Sequence, residues 1–200
     1  SKGLTLAKVE AEPHGIDLGP LQSVFPQRLF TPDKRIRLTP PRYIHELLSL
    51  EVEAAPAPDE FRLIGRRHVR SNNSWMHNSY RLVKGKGRCT AMLHPADAAR
   101  IGIVDGEEIE ISSSVGSIRL PAEVTEDLMP GVISVPHGWG HARQGVQMGV
   151  ATSHAGVSIN DVISSDQVDR LTGTAILNGQ SVTVRHCRAP IAEALVDEEA

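Results

Sequence analysis

Two hundred residues, 40% of them apolar and with a formal net charge of −3, suffice for one cored domain, or for one domain and an appendage. This excludes a chain disordered throughout. With no signal peptide and no apolar run of about 18 residues, a soluble, cytoplasmic protein without membrane insertion is expected. The two cysteines, Cys89 and Cys187, build no CxxC motif or Cys/His ladder, so they encode neither an iron–sulfur cluster nor a structural zinc site and fit a reducing compartment.

Residues 1–60 do not form a self-sufficient domain. PHGIDLGPL (13–21) and FPQRLFTPDKRIRLTPP (25–41) are broken by prolines and lack a sustained period, which predicts an extended segment laid on something else. One short helix is expected after Pro41, with Ile44, Leu47 and Leu48 on one face. AAPAPDE (54–60) has the composition of a linker and places a domain boundary near residue 60. The missing initial Met is compatible with a fragment or a processed chain.

From Phe61 the pattern becomes strand-like. FRLIG (61–65) alternates, and GRRHVRSNNSWMHN (65–78) then sets arginines among short polar side chains. Phe61 to Met92 holds eight Lys or Arg and no acid, whereas Asp105 to Asp127 holds seven acids against Arg119 alone. The near-neutral total therefore hides a basic loop region suited to an anionic partner. Arg forks grip phosphate or carboxylate oxygens, while Ser and Asn bond the edges of heterocycles.

GRCTAMLH (87–94) is predicted as the next strand. PADAARIG follows as a short helix opened by Pro95 and stopped by Gly102. IVDGEEIEISSS turns at Asp105-Gly106 into a strand with Ile109 and Ile111 on one side and Glu108 and Glu110 on the other. SIRLPAEVTED (117–127) returns as its partner, and MPGVISVP (129–136) enters another strand through a Pro-Gly turn. HGWGHARQGVQMGVATSHAGVSIN (137–160) then carries five glycines and three histidines, a long loop of the functional kind. QSVTVRHCR (180–188) is a closing strand, and the acidic tail over 191–200 is expected to fray. The sum is a mainly β chain: about six strands, one or two short helices and two long polar loops gathered at one end of a small barrel.

In that order, these landmarks resemble the C-terminal molybdopterin-dinucleotide-binding domain of the molybdenum/tungsten oxidoreductases of the dimethyl-sulfoxide-reductase type, which include formate dehydrogenases and nitrate reductases. IGRRHVRSNNSWMHN is similar to the family's first cofactor loop. LHPADAARIGIVDGEEIEISSSVGSIRLPAEVTEDLMPGVISVP is similar to its Pro-acidic-Ala, Gly-Ile, Asp-Gly and Pro-Gly-Val stretch. GWGH (138–141), Asn160-Asp161 and Leu171-Thr172-Gly173 resemble the second loop and its Asn-bearing end. PHGIDLGPL resembles, more weakly, the stretch that precedes this domain in some members.

The resemblance implies a six-stranded double-psi β-barrel over 61–190, helping to hold a molybdopterin guanine dinucleotide. The molybdenum or tungsten would be held mainly by other domains of the parent enzyme, which are the expected partners. No cofactor is expected on the isolated chain, and no catalytic residue. Arg66 and Arg67 would face the diphosphate. His68, Asn72, Asn73, Ser74, His77 and Asn78 would meet ring edges or polar atoms, and Trp75 would cover a ring. Gly65 would end the strand, Gly138 and Gly140 would let the backbone beside His137, Trp139 and His141 approach the ligand, and Asn160 and Asp161 would read an amino/imino edge.

Rival readings are weaker. His137 and His141, with His154 nearby, lack a fourth metal ligand, and Gly-Trp-Gly breaks the helix their spacing needs. GWGHAR lacks the third glycine of a dinucleotide fold, GKGR (85–88) the Lys-Ser/Thr end of a P-loop, and there is no Gly-x-Ser-x-Gly elbow. A pI near 6.3 and an acidic sheet beside the basic loop argue against nucleic acid. Two classes remain: the cofactor-binding module, and a double-psi barrel for protein interaction with no redox role. The Asn-rich loops favour the first.

Overall fold

The computed structural model describes residues 3–50, 57 and 59–187. Its contacts divide the chain into Ser1–Leu50 and Glu51–Ala200. Most of the expected linker over 54–60 and the whole acidic tail over 191–200 lie outside the described residues.

In the first unit, Thr5 caps a short helix, α1 (Leu6–Glu10), by accepting from Lys8 N at 3.2 Å. The second helix, α2 (Pro41–Leu48), starts where the sequence indicates, since Pro41 lacks only an N–H that a first turn leaves unbonded. No described residue of this unit is buried, and Leu21 and Phe30 stand almost wholly in solvent. A proline-broken stretch without a period builds no core of its own.

The second unit is a closed barrel of six strands in the spatial order β1-β5-β2-β4-β3-β6, the double-psi arrangement that the resemblance implied. The strands are β1 (Glu60–Arg66), β2 (Ala91–Leu93), β3 (Glu108–Ser112), β4 (Ser117–Val124), β5 (Val132–Pro136) and β6 (Gln180–His186). β1 lies parallel to β5 and β2 parallel to β4, and the remaining neighbours are antiparallel. Closure leaves no strand edge free to pair with another chain.

Alternation decides which side chains fill the barrel. Phe61 and Leu63, Ile109 and Ile111, Ile118, Leu120 and Ala122, and Val182 and Val184 point inward, with Ile133 and Val135 from β5. Each large aliphatic so buried contributes roughly 1.5–3 kcal/mol. The predicted helix appears as α4 (Pro95–Ile101), ended by Gly102 at φ 69. Gly106 and Gly131 likewise take positive φ in the turns that precede β3 and β5.

The barrel unit differs from the sequence reading at its second strand and within its loops. The strand expected over 87–94 pairs only at Ala91–Leu93, because residues 87–90 leave the sheet to line a cavity. Two further short helices lie within the loops, α3 (Tyr80–Val83) and α5 (Gly149–Ser153), and a 3-10 turn spans Ile159–Val162. Four or five residues are too few to show helical periodicity. No helix among the described residues is long and apolar enough to cross a membrane.

Asp97 ties α4 to the turn before β5. Its carboxylate, nearly fully buried, accepts from Gly131 N at 2.7 Å and pairs with Arg100 at 2.6 Å. Arg100 in turn lies over the Phe61 ring, 5.1 Å from its centroid. Asp97→Ala removes both bonds and should lower stability by about 2–3 kcal/mol. The check is the denaturant midpoint, which should fall at unchanged slope.

Candidate functional site

Parallel pairing of β1 with β5 makes the chain leave both strands at the same end of the barrel. The register runs to Arg66↔Pro136, and His137 N continues it by donating to Arg66 O at 2.9 Å. Loop one (67–79) and loop two (137–158) therefore start side by side, and Arg66 and Trp139 lie at one mouth as the sequence reading required.

The two loops are bonded to each other more than the sequence suggested. In loop one, Asn72 and Asn73 adopt φ 41 and 62, a left-handed turn that Asn tolerates better than most residues. Gly138, at φ 96, passes so close to this turn that a Cβ would overlap the Asn73 carbonyl, and a Cβ at Gly140 would strike Ser158. These glycines serve the approach of one protein segment to another. The Asn78 amide oxygen accepts from Val150 N and Ala151 N, at 3.1 and 3.2 Å, holding the start of α5.

Beneath them the Trp139 ring lies 4.1 Å from that of His77. His77 Nδ1 meets His141 Nε2 at 2.8 Å, and His77 Nε2 meets Ser71 Oγ at 2.9 Å. His77 is 1% exposed and His141 8%. Burial, then the neighbouring His141 and Arg88, push the His77 pKa down to about 4, with the Gly138 carbonyl opposing. Burial lowers His141 too.

The paired arginines diverge. Arg66 turns inward and its two terminal nitrogens donate to the carbonyl and hydroxyl oxygens of Ser134 and Thr90, at 3.0–3.4 Å. Thr90 passes the connection to Glu123 at 2.5 Å, and that hydroxyl is the main cause of the lowered Glu123 pKa. Arg67 is exposed and bonded to the Asn73 side chain. His68 accepts from Arg70 N at 3.1 Å, and burial lowers its pKa. Trp75 stands 82% exposed, with Ser74 half-buried beside it. Asp161 is paired with Arg143, whereas Asn160 makes no side-chain hydrogen bond among the described residues.

Gly65, Arg67, His137 and Asn160 line a pocket of about 250 Å³, together with Ile159, Ile163, Leu177 and Asn178. Asn178 escaped the sequence reading. Its Oδ1 accepts from Gly65 N at 2.6 Å, leaving its NH2 for a ligand. The Asn-Gly pair before β6 is a visible turn signal, but only the antiparallel register Leu63↔Gln180 sets it beside Gly65. A larger cavity of about 420 Å³ lies behind loop two, between residues 83–90 and β4, and Trp139 is the one expected site residue in its wall. The larger cavity carries polar groups too, among them Lys86, Arg88, Thr90 and Glu123, but the smaller pocket is the one that gathers four of the expected site residues, Gly65, Arg67, His137 and Asn160. Among the described residues no group of three or more His, Cys, Asp or Glu could hold a metal ion.

A closed barrel that brings two polar loops and a small amide-lined pocket to one mouth is, as a class, a ligand-holding module. Residues 61–181 match the family described as Molydopterin dinucleotide binding domain, and the chain belongs to that family. It is 29% identical over 122 residues to the molybdopterin-containing subunit of arsenate respiratory reductase from Chrysiogenes arsenatis, covering 58% of this chain and 14% of that one. Against the corresponding subunit from Shewanella sp. (strain ANA-3) it is 36% identical over 93 residues, covering 44% and 10%. A tetrathionate reductase subunit from Salmonella typhimurium is 30% identical over 91 residues, covering 41% and 9%. Acetylene hydratase from Pelobacter acetylenicus shares the fold, with a TM-score of 0.54 and 24% identity over 64% of this chain and 18% of that one. Membership in the family decides between the two classes left open by the sequence: this is a molybdopterin-cofactor-binding domain. It spans a small part of the curated relatives it matches.

Gly138→Ala should separate the loops, since a side chain at that φ and that distance from Asn73 cannot be accommodated; a cost of about 1–3 kcal/mol is expected. Amide exchange should then accelerate over 71–78 and 138–141 while the strand amides keep their protection.

Proposed function

We propose that this chain holds the guanine dinucleotide part of a molybdopterin cofactor for a larger molybdenum or tungsten oxidoreductase, whose other domains carry the metal's protein ligand. The carrying observation is the convergence of Arg67, His137, Asn160 and Asn178 on one pocket beside a strand-end glycine. The donor set fits the group. Arg67 is an exposed guanidinium suited to a diphosphate oxygen, and Asn160 and Asn178 offer amides to a pterin or guanine edge.

When bound, the cofactor supplies the redox-active metal. The chain's own residues bind and orient it. Arg67, with the exposed Arg70 on the same loop, takes the phosphate charge, and the two amides fix a ring edge. Arg66, engaged with Ser134 and Thr90, holds the root of loop one instead. Trp75 offers an open ring face. The activity of the parent enzyme depends on domains outside this chain.

Guanosine diphosphate titrated into the chain should shift amides at 65–67, 137, 159–163 and 177–178. Arg67→Ala should weaken binding by about tenfold or more, from the loss of one charge-assisted bond, and Arg185→Ala on β6 should leave it unchanged. Shifts confined to the larger cavity, or equal losses in both variants, would overturn the assignment.

A further inference from the structure

Ser71, His77 and His141 form a continuous hydrogen-bonded chain that crosses from loop one to loop two beneath the site. Neither imidazole lines the pocket, and both are buried, so a ligand in that pocket does not meet them. We propose that this chain is a latch: the two histidines are positioning residues that fix the spacing of the cofactor loops while neutral and release the loops in mild acid. Its consequence for the cofactor rests on the function proposed above; the latch itself rests on geometry.

While both rings are neutral, one of the two nitrogens that meet at 2.8 Å donates and the other accepts, and the Gly138 carbonyl lies beside both imidazoles. With the hydrogen on His77 Nδ1, His77 Nε2 is left to accept from the Ser71 hydroxyl. An added proton places a charge in a site packed against Trp139, close to Arg88 and His68. A second added proton sets Nδ1–H against Nε2–H across 2.8 Å, and the link breaks. The charged or titratable groups around His77 are His141 from loop two, His68 from its own loop and Arg88 from the segment before β2. All three oppose its protonation.

The sign follows. With the folded pKa of His77 about 4 and an ordinary value of 6.5, the open form takes the proton first. The closure that the neutral ring supports is complete above about pH 6.5 and is lost as the pH falls toward 4. From these two values, the open population of the loops should rise about twentyfold between pH 7 and pH 5.

The test uses this chain and two readouts. Amide exchange, corrected for intrinsic rates, should accelerate over 71–78 and 138–141 by that factor while strand amides stay protected. Nitrogen shifts of the histidine rings should place the titration of His77 well below 6.5. His141→Gln, which keeps an amide opposite His77 but does not titrate, should hold the loops closed at pH 7.5 and move their opening to lower pH. His141→Ala should leave them open at both. Loops that stay protected while both rings titrate, or that open only with the whole barrel, would overturn the latch. Guanosine diphosphate separates the two proposals. If it shifts no loop amide at pH 7.5, the cofactor reading fails and the latch is judged by exchange alone. If it binds equally at pH 7.5 and at a pH where His77 is charged, the latch fails and the cofactor reading stands.

Discussion

The register of β1 against β5 is the constraint on which the site depends. Two loops separated by about seventy residues of sequence meet because the strands they leave are parallel and end together at Arg66 and Pro136. Slipping β1 by one residue would turn Phe61 and Leu63 out of the barrel, and slipping β5 would do the same to Ile133 and Val135. Each large side chain so exposed would lose roughly 1.5–3 kcal/mol. The position of the loops is thus secured by core burial, far more strongly than any bond between the loops could secure it. Loop-to-loop contacts adjust spacing within a mouth that the core has already placed.

The same device occurs twice in the barrel. β2 against β4 is also parallel, ends at Leu93↔Val124, and is continued by Thr125 N donating to Leu93 O at 3.0 Å, as His137 N does to Arg66 O. Because β2 runs antiparallel to β5, this second mouth faces the opposite end. There the connections, 94–107 and 125–131, are a helix with its turns and a single turn, and one carboxylate, Asp97, stitches them. At the first mouth the exits are a dozen or more residues long, and neutral imidazoles do the stitching. One scaffold therefore carries a closed structural end and an open end with room for a ligand.

The barrel was legible because its causes are local. Alternation marked β3, β4 and β6, and proline and glycine marked α4 and the turns before β3 and β5. Much of the site was not legible, because whether a polar side chain faces ligand or protein depends on register. Arg66 and Arg67 are adjacent and chemically identical, yet the pleat sends one onto Ser134 and Thr90 and the other outward. Gly138 and Gly140 were read as letting the backbone approach a ligand, and the groups that crowd them in the structure are Asn73 and Ser158. Asn178 became a site residue only through a pairing that spans 113 positions. His77 and His141 sat among the expected ligand contacts because a polar loop sequence gives no sign of burial.

On the proposed function, this division has a consequence for how the site works. A pocket of about 250 Å³ is too small to enclose a nucleotide-tailed pterin, and retention requires that most of a ligand's surface be covered. The chain supplies one wall, and Asn160 in that wall, like Trp75 and Arg70 on loop one, is exposed. A single wall contributes chiefly by being ready: loops already held at their spacing need no ordering when the ligand arrives, which removes a cost of about 0.5–1.5 kcal/mol for each side chain that would otherwise have to be immobilised. On that function, buried groups that do not line the pocket, the imidazole pair and Arg66 among them, serve the site by holding its loops at their spacing.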